Sequence, residues 1–422
     1  MKQTARVSAV ASALALMAAA PDSNAAAFAL YEQGVSGLGN AYAGAAAAAE
    51  DASTVWWNPA GMAWLPAGKH VAFAGVFIGP STKFSDKGSV AAAGRPLGGT
   101  GGEAGHSATV PSGYFAMDVG PGLNVGLGVG VPFGLKTEYD PAWLGRFQGI
   151  SSRIKTLNLN PSVSYRFSDA GSVGFGLDYA TGEINLLSAV NLGAAEAQNR
   201  TNVSGDGWGF NVGLLADVAP ATRLGVHYRS AIRYKLEGDT SFTAPAPAVL
   251  NSKVKLDVRT PDSLAVSLAH RVNDRLQLLG DVTWWHWSKI DRLPLVRTDG
   301  PFNGATLDTI VLGFKDTWRF SAGATYKLAG PWTLKLGVAY DQTPVKTPEA
   351  RTVRLPDNDR YWLSAGLKYA PWRNGVLDLG YTFVKAKDAD INNNQTSTNR
   401  GIVNGSYEAS VHVLGIQYQH SF

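Results

Sequence analysis

Leu123-Asn-Val-Gly-Leu-Gly-Val-Gly-Val131 places an aliphatic side chain at every second position, with Asn or Gly between. Side chains of an extended chain point alternately to its two faces, so this stretch is a strand with one oily face and one nearly bare. The same period returns in Leu157, Leu159, Val163, Tyr165 and Phe167, in Val173, Phe175, Leu177 and Tyr179, and in Trp208, Phe210, Val212 and Leu214. It recurs in Phe320, Ala322, Ala324 and Tyr326 and in Trp332, Leu334, Leu336, Val338 and Tyr340, and many of these runs end in an aromatic residue. A soluble sandwich alternates too, with large side chains inward and charges toward water. Here the second face is mostly Gly, Ala, Ser and Asn with occasional Arg, Lys and Asp, which suits the lumen of a membrane barrel whose oily face meets lipid between two aromatic girdles.

Connections between the runs alternate in length. Tight links fall near residues 120–122, 168–171, 219–223, 273–275, 329–331 and 371–375; long polar stretches occupy 79–106, 132–153, 189–206, 242–251, 293–315, 344–358 and 387–406. Short turns belong in the periplasm and long loops outside. Counting between them gives an all-β, fourteen-stranded antiparallel transmembrane barrel over residues 69–422, an even number that allows closure. The chain ends in Phe422 with Tyr418, Ile416 and Leu414 in phase, the aromatic-ended strand that barrel assembly machinery engages, although His420 interrupts the phase.

Lys2 and Arg6 precede an uncharged, Ala-rich stretch, and Ser23 and Ala25 have the spacing of a signal-peptidase site, so residues 1–25 read as a secretory signal peptide and the mature chain as starting at Ala26. No later segment offers the ~18 apolar residues of a spanning helix. The formal charge of +4 comes from scattered basic residues and points to no nucleic acid, and the chain has no cysteine. The seven histidines lack metal-ligand spacing, and H-E-x-x-H, G-x-S-x-G and Walker A patterns are absent, so no metal, cofactor or enzymatic activity is expected. Residues 26–68 do not alternate, yet carry Leu38, Trp56, Trp57, Met62, Trp64 and Leu65, which are costly to leave in water. They read as a separate hatch inside the lumen, with Asn40 capping a short helix over residues 41–50; the alternative is a disordered tail.

Three stretches in this segment resemble the FadL/TodX-type outer-membrane hydrocarbon transporters: Ala26-Ala-Phe-Ala-Leu-Tyr-Glu32, Ser36-Gly-Leu-Gly-Asn-Ala-Tyr-Ala-Gly44, and Asp51-Ala-Ser-Thr-Val-Trp-Trp-Asn-Pro-Ala-Gly-Met62 with its Asn58-Pro59-Ala60 triplet. Gly313-Phe-Lys-Asp-Thr-Trp-Arg319 and Leu355-Pro-Asp-Asn-Asp-Arg-Tyr-Trp-Leu-Ser-Ala-Gly366 extend the resemblance, and Gly207-Trp-Gly-Phe-Asn211 and Tyr228-Arg-Ser230 match less specific positions. The resemblance implies a fourteen-stranded barrel plugged by an N-terminal hatch in the cell outer membrane of a Gram-negative bacterium. It implies a substrate that lands in an apolar groove among extracellular loops, passes to a buried pocket and leaves sideways beside a kinked third strand. Members handle long-chain fatty acids or aromatic hydrocarbons, and the C-terminal motifs lean toward fatty acids. A general porin for polar solutes and an outer-membrane lipase are the rival readings. The expected partners are a hydrophobic small molecule, outer-membrane lipid and lipopolysaccharide, and the assembly machinery during biogenesis, with the protein a monomer.

For the lateral opening the candidates are Gly126, Gly128, Gly130 and Pro132, where a glycine-loaded strand meets a residue without an N–H. For the outer groove they are Leu135, Trp143, Leu144 and Phe147, faced by Leu186, Leu187, Val190 and Leu192; the alternative is that these residues only pack the loops together. A buried carboxylate needs a cation, and Lys315 is the first choice, with a local pair to Asp316 as the alternative. Arg166 and Arg229 come next, with bracing of hatch to wall as theirs. Asn58, Pro59 and Ala60 form the hatch turn, either a switch or a rigid plug. Trp284, Trp285 and Trp287 around His286 read as part of a girdle rather than an aromatic cage.

Overall fold

A computed structural model describes residues 27–422; the expected signal peptide lies outside them. The strands are β1 (Lys69–Asp86), β2 (Ala108–Gly120), β3 (Leu123–Gly130), β4 (Gly134–Glu138), β5 (Ser151–Ser168), β6 (Gly171–Asn191), β7 (Glu196–Ala219), β8 (Thr222–Arg229), β9 (Arg233–Phe242) and β10 (Ser252–Arg259). They continue as β11 (Ser263–Arg271), β12 (Leu276–Trp285), β13 (Arg292–Arg297), β14 (Thr306–Val311), β15 (Thr317–Lys327), β16 (Trp332–Asp341), β17 (Arg360–Tyr369), β18 (Gly375–Ala386), β19 (Ala389–Asn394) and β20 (Ile402–Ser421). Six wall spans are broken in two (β3/β4, β8/β9, β10/β11, β12/β13, β14/β15 and β18/β19), so the twenty strands make the expected fourteen spans. β1 pairs with β20 from His70↔Ser421 to Asp86↔Gly405 and closes the barrel.

The lipid face follows from the alternation. On β7, Trp208, Phe210, Val212, Leu214 and Val218 are exposed; ten residues at ~3.3 Å each, tilted ~40°, cover roughly 25 Å, the height of an apolar band. Above that band the phase of the oily face inverts. On β9, Arg233, Lys235 and Glu237 are exposed while Tyr234 and Leu236 are buried, and on β10 Lys253, Lys255, Asp257 and Arg259 flank buried Val254, Leu256 and Val258. Strands that rise out of the membrane face water outside and a packed interior inside, so several stretches expected as loops are strands. β6 and β7 continue almost to their turn at residues 192–195, and β4, β13, β14 and β19 occupy parts of 132–153, 293–315 and 387–406.

Residues 27–68 fill the lower lumen as short helical turns at Leu38–Asn40, Ala45–Ala48, Thr54–Trp57 and Pro59–Trp64. The helix expected over residues 41–50 shrinks to Ala45–Ala48, because Ala41, Tyr42, Gly44 and Ala49 all have left-handed backbone. Asn40 caps nothing; its Nδ2 donates to Ala324 O at 2.8 Å and Leu336 O at 3.2 Å on the wall. The bare lumen face exists for such contacts. A Cβ on Gly213 would lie 1.8 Å from Asn58 Oδ1, and one on Gly225 2.0 Å from Ala46 O.

Candidate substrate route through the barrel

The third span breaks where Pro132 interrupts it. β5 holds both halves, β3 up to Gly130↔Asn158 and β4 from Gly134↔Lys155. On the other side the β2–β3 ladder stops at Gly113↔Val129, while β2 continues along β1 to Ala108↔Ile78. A bridge from Gly105 to Thr137 joins the edges again higher up. The wall therefore has a window between residues 106–112 and 130–136.

Backbone groups freed at a break must find other partners, and the hatch supplies them. Leu30 N donates to Pro132 O at 2.9 Å and Gly134 N to Phe28 O at 2.9 Å. The Gln33 amide imitates a strand neighbour, accepting from Val131 N at 3.1 Å and donating to Val131 O at 2.6 Å. Thr156 Oγ1 takes Phe133 N at 3.0 Å. Of the candidates for the opening, Pro132 lies in it and Gly130 on its lower edge, while Gly126 and Gly128 lie below it within the β2–β3 ladder. Gly126 makes room for Met62, Gly128 for Val55 and Tyr114, and Gly130 for Gln33.

Behind the window lies an apolar cavity of about 80 Å³ walled by Phe28 of the hatch, Phe133 and Leu135 at the break, and Ile154, Ile184, Leu236, Leu256, Val258, Leu293, Ile310, Leu312 and Leu355. This is well below the ~300–1,000 Å³ of a typical ligand site, so an acyl chain enters only if lining side chains, Phe28 among them, move. Above it opens a wider vestibule of about 740 Å³ of mixed lining, with Arg292, Asp308, Glu349 and Arg400 beside Leu307, Val311 and Val353. Ile310, Leu312, Thr352 and Arg354 line both spaces. Arg354 Nη1 donates to Ser151 O at 3.1 Å and Ser152 Oγ at 2.8 Å. Among the described residues no carboxylate stands within ion-pair distance of it, and Asp308 is taken by Arg400 at 3.0 Å. Burial pulls the Arg354 guanidinium down to about 10, which leaves it charged at neutral pH and poorly compensated.

The remaining candidates divide. Leu135 and half-buried Leu186 line the cavity rather than an outer groove. Trp143 is fully buried, stacked on Tyr139 at 3.9 Å, and packs with Leu144 against Phe84, Val353 and Tyr407. Phe147 packs with Ala92, Ile150, Ala189 and Leu187. Val190 is half-buried, and Leu192 is exposed beside the β6–β7 turn. Trp143, Leu144, Phe147 and Leu187 thus pack the loops against one another.

Lys315 is exposed, because its neighbour Phe314 takes the inward position against Trp287, and Asp316 accepts from Ser288 N at 3.0 Å. Arg229 pairs with buried Asp178, donates to Trp56 O at 2.9 Å and lies 3.7 Å over the Trp56 ring. Arg166 lies 4.2 Å over the Trp64 ring. Both arginines meet the hatch rather than the cavity.

Asn58 is wholly buried and donates to Ala46 O at 2.8 Å and Leu214 O at 3.0 Å, while its Oδ1 caps Ala60 N at 3.1 Å. Of the tryptophan cluster only Trp284 faces lipid, opposite Trp318. Trp285 donates to Tyr31 at 2.8 Å, and buried Trp287 meets Phe28 edge-on at 4.9 Å.

An ionic latch went unseen in the sequence. Glu50 of the hatch receives Lys335 at 2.7 Å and Lys368 at 2.6 Å, and Lys335 also donates to Ser36 O at 2.6 Å. Against the desolvation that burial imposes, the two lysines hold the Glu50 carboxyl down to about 2, from an ordinary value of 4.5. A depressed carboxylate stabilises the fold above its unfolded value, and that contribution is lost only as pH falls through its folded value. Glu50→Gln takes the shared carboxylate from Lys368 and leaves Lys335 only Asp378 at 3.7 Å, and is expected to cost about 3 kcal/mol. Urea unfolding in lipid vesicles should give the same difference at pH 7 and pH 5; a difference that vanishes at pH 5 contradicts the latch.

A closed, hatch-plugged barrel with an oily cavity beside a break in its wall is an outer-membrane transporter of hydrophobic compounds. The chain belongs to the family described as "Outer membrane protein transport protein (OMPP1/FadL/TodX)", which it matches over residues 16–422. It is 29% identical to the "Long-chain fatty acid transport protein" of Salmonella typhi, covering 87% of this chain and 89% of that one. A FadL homologue of Pseudomonas aeruginosa superposes with a TM-score of 0.87 at 25% identity, over 94% of this chain and 100% of the other. The toluene transporter TbuX of Ralstonia pickettii shares the fold, with a TM-score of 0.69 at 21% identity over 93% and 100%.

Proposed function

We propose that the protein takes up long-chain fatty acids. The observation that carries this reading is Arg354, a poorly compensated cation where the wide vestibule meets the apolar cavity. A carboxylate held there completes the arginine's hydrogen bonding, and the acyl chain extends among Ile154, Ile184, Leu236 and Leu312 toward Phe28. Displacing Phe28 pulls on the segment that bonds the broken third span, so Leu30 and Gln33 release Pro132 and Val131 and the window opens. Release into the bilayer avoids the ~0.8 kcal/mol per methylene that desorption into water costs. The relative named for long-chain fatty acid transport supports the choice of substrate.

Binding of oleate, methyl oleate and toluene to the purified protein in detergent tests this. A charge-assisted hydrogen bond contributes ~1.5–3 kcal/mol, so Arg354→Ala should weaken oleate roughly tenfold to a hundredfold and leave methyl oleate unchanged. Tight toluene binding with oleate indifferent to Arg354 points instead to aromatic hydrocarbons, and binding of none of the three to a porin.

A further inference from the structure

Above the lipid band, register sorts the outward charges of β7, β9 and β10 into rows. Farthest from the membrane are Asn202, Asp239 and Lys253, then Ser204, Glu237 and Lys255, then Asp206, Lys235 and Asp257. The row nearest the membrane is Arg233 directly opposite Arg259. It lies one step below the Asp206↔Lys235 pair, at the level of Trp208, the last exposed aromatic of the β7 lipid face.

Two like charges facing each other across a ladder destabilise it unless an anion lies between them. Arg233 reaches Asp257 at 2.7 Å with its side chain 66% exposed. Arg259 is exposed and has no carboxylate within ion-pair distance among the described residues. Asp206 and Asp257, the nearest acids on these strands, lie opposite Lys235 in register, and Asp257 is already taken by Arg233, which leaves none for Arg259. Around the broken eighth span, Lys289 and His286 share Asp262, at 2.6 Å and 3.3 Å. The acids on β7, β9 and β10 thus stand outside the arginine row, away from the lipid.

We propose that Arg233 and Arg259, with Lys235 behind them, bind the phosphate of an outer-leaflet glycolipid headgroup. A lipid whose acyl chains lie along Trp208, Phe210 and Val212 carries its headgroup at this row, where two planar guanidinium forks match a phosphate's oxygens. The site lies on the outside of the wall and does not depend on the fatty-acid reading.

The test titrates the full-length protein in micelles with bisphosphorylated lipid A, with the same lipid dephosphorylated, and with inorganic phosphate. Wild type should bind the phosphorylated lipid at least tenfold more tightly than the dephosphorylated one, and Arg233→Ala/Arg259→Ala should abolish that preference while keeping the heat-modifiable gel mobility of a folded barrel. Lys83→Ala/Lys87→Ala, on the opposite side of the wall, should keep it. An unchanged preference in the arginine double variant overturns the proposal. Competition by inorganic phosphate at equal concentration also overturns it, since that marks a free-phosphate site.

Discussion

Gly213→Val/Gly225→Val should turn a closed barrel into a steady ion conductor, with planar-bilayer conductance roughly tenfold or more above wild type, as in barrels whose lumen holds only water. The two glycines sit on neighbouring strands at the place where Asn58 and Ala46 touch the wall. A Cβ at residue 213 would overlap Asn58 Oδ1, and one at 225 the Ala46 carbonyl, each at 2.0 Å or less. Neither contact yields, because Asn58 is fixed by bonds to Ala46 O and Leu214 O, and the Ala46 carbonyl is backbone. Valine favours strands, so the β7–β8 ladder survives and the hatch is what gives way. A double variant that folds and stays as tightly closed as wild type would mean that the hatch is not seated by these contacts.

Much of this architecture could be read from one chain because lipid enforces a strict period. The Leu123–Val131 run, its copies and the tight links between them yield fourteen spans, and Pro132 marks the break in the third. The aromatic residues of the first segment predict a hatch, and Trp56 and Trp64 do lie under Arg229 and Arg166. The reading failed where the solvent changes. Once strands leave the bilayer, charges move outward and oily residues inward, so Val203 and Leu295 fall within stretches that read as polar loops although they build the upper core with Tyr234, Leu236, Val254 and Leu256.

The site was less legible than the fold. Lys335 and Lys368 occupy lumen-facing positions of alternating strands, a signal present in the sequence, but their partner Glu50 is more than 280 residues away in the chain. Arg354 lies in an aperiodic stretch whose course is set by contacts with β5, so nothing local marks it. Lys315 was attractive as part of a motif, yet Phe314 takes the inward position there.

The central claim is that the hatch segment seals the window and must let go for substrate to leave. Ala29 and Phe133 are bridge partners flanked by the Leu30–Pro132 and Gly134–Phe28 hydrogen bonds, a non-hydrogen-bonded antiparallel pair with Cα atoms ~4.5 Å apart, within disulfide reach. The chain has no cysteine of its own, so Ala29→Cys/Phe133→Cys forms a single defined bond. The measurement is transfer of labelled oleate through the protein into vesicle lipid, before and after reduction. Loss of transfer in the oxidised protein, with recovery on reduction and oleate binding retained throughout, is the predicted result. Equal transfer with the bond formed would contradict a hatch that gates lateral release.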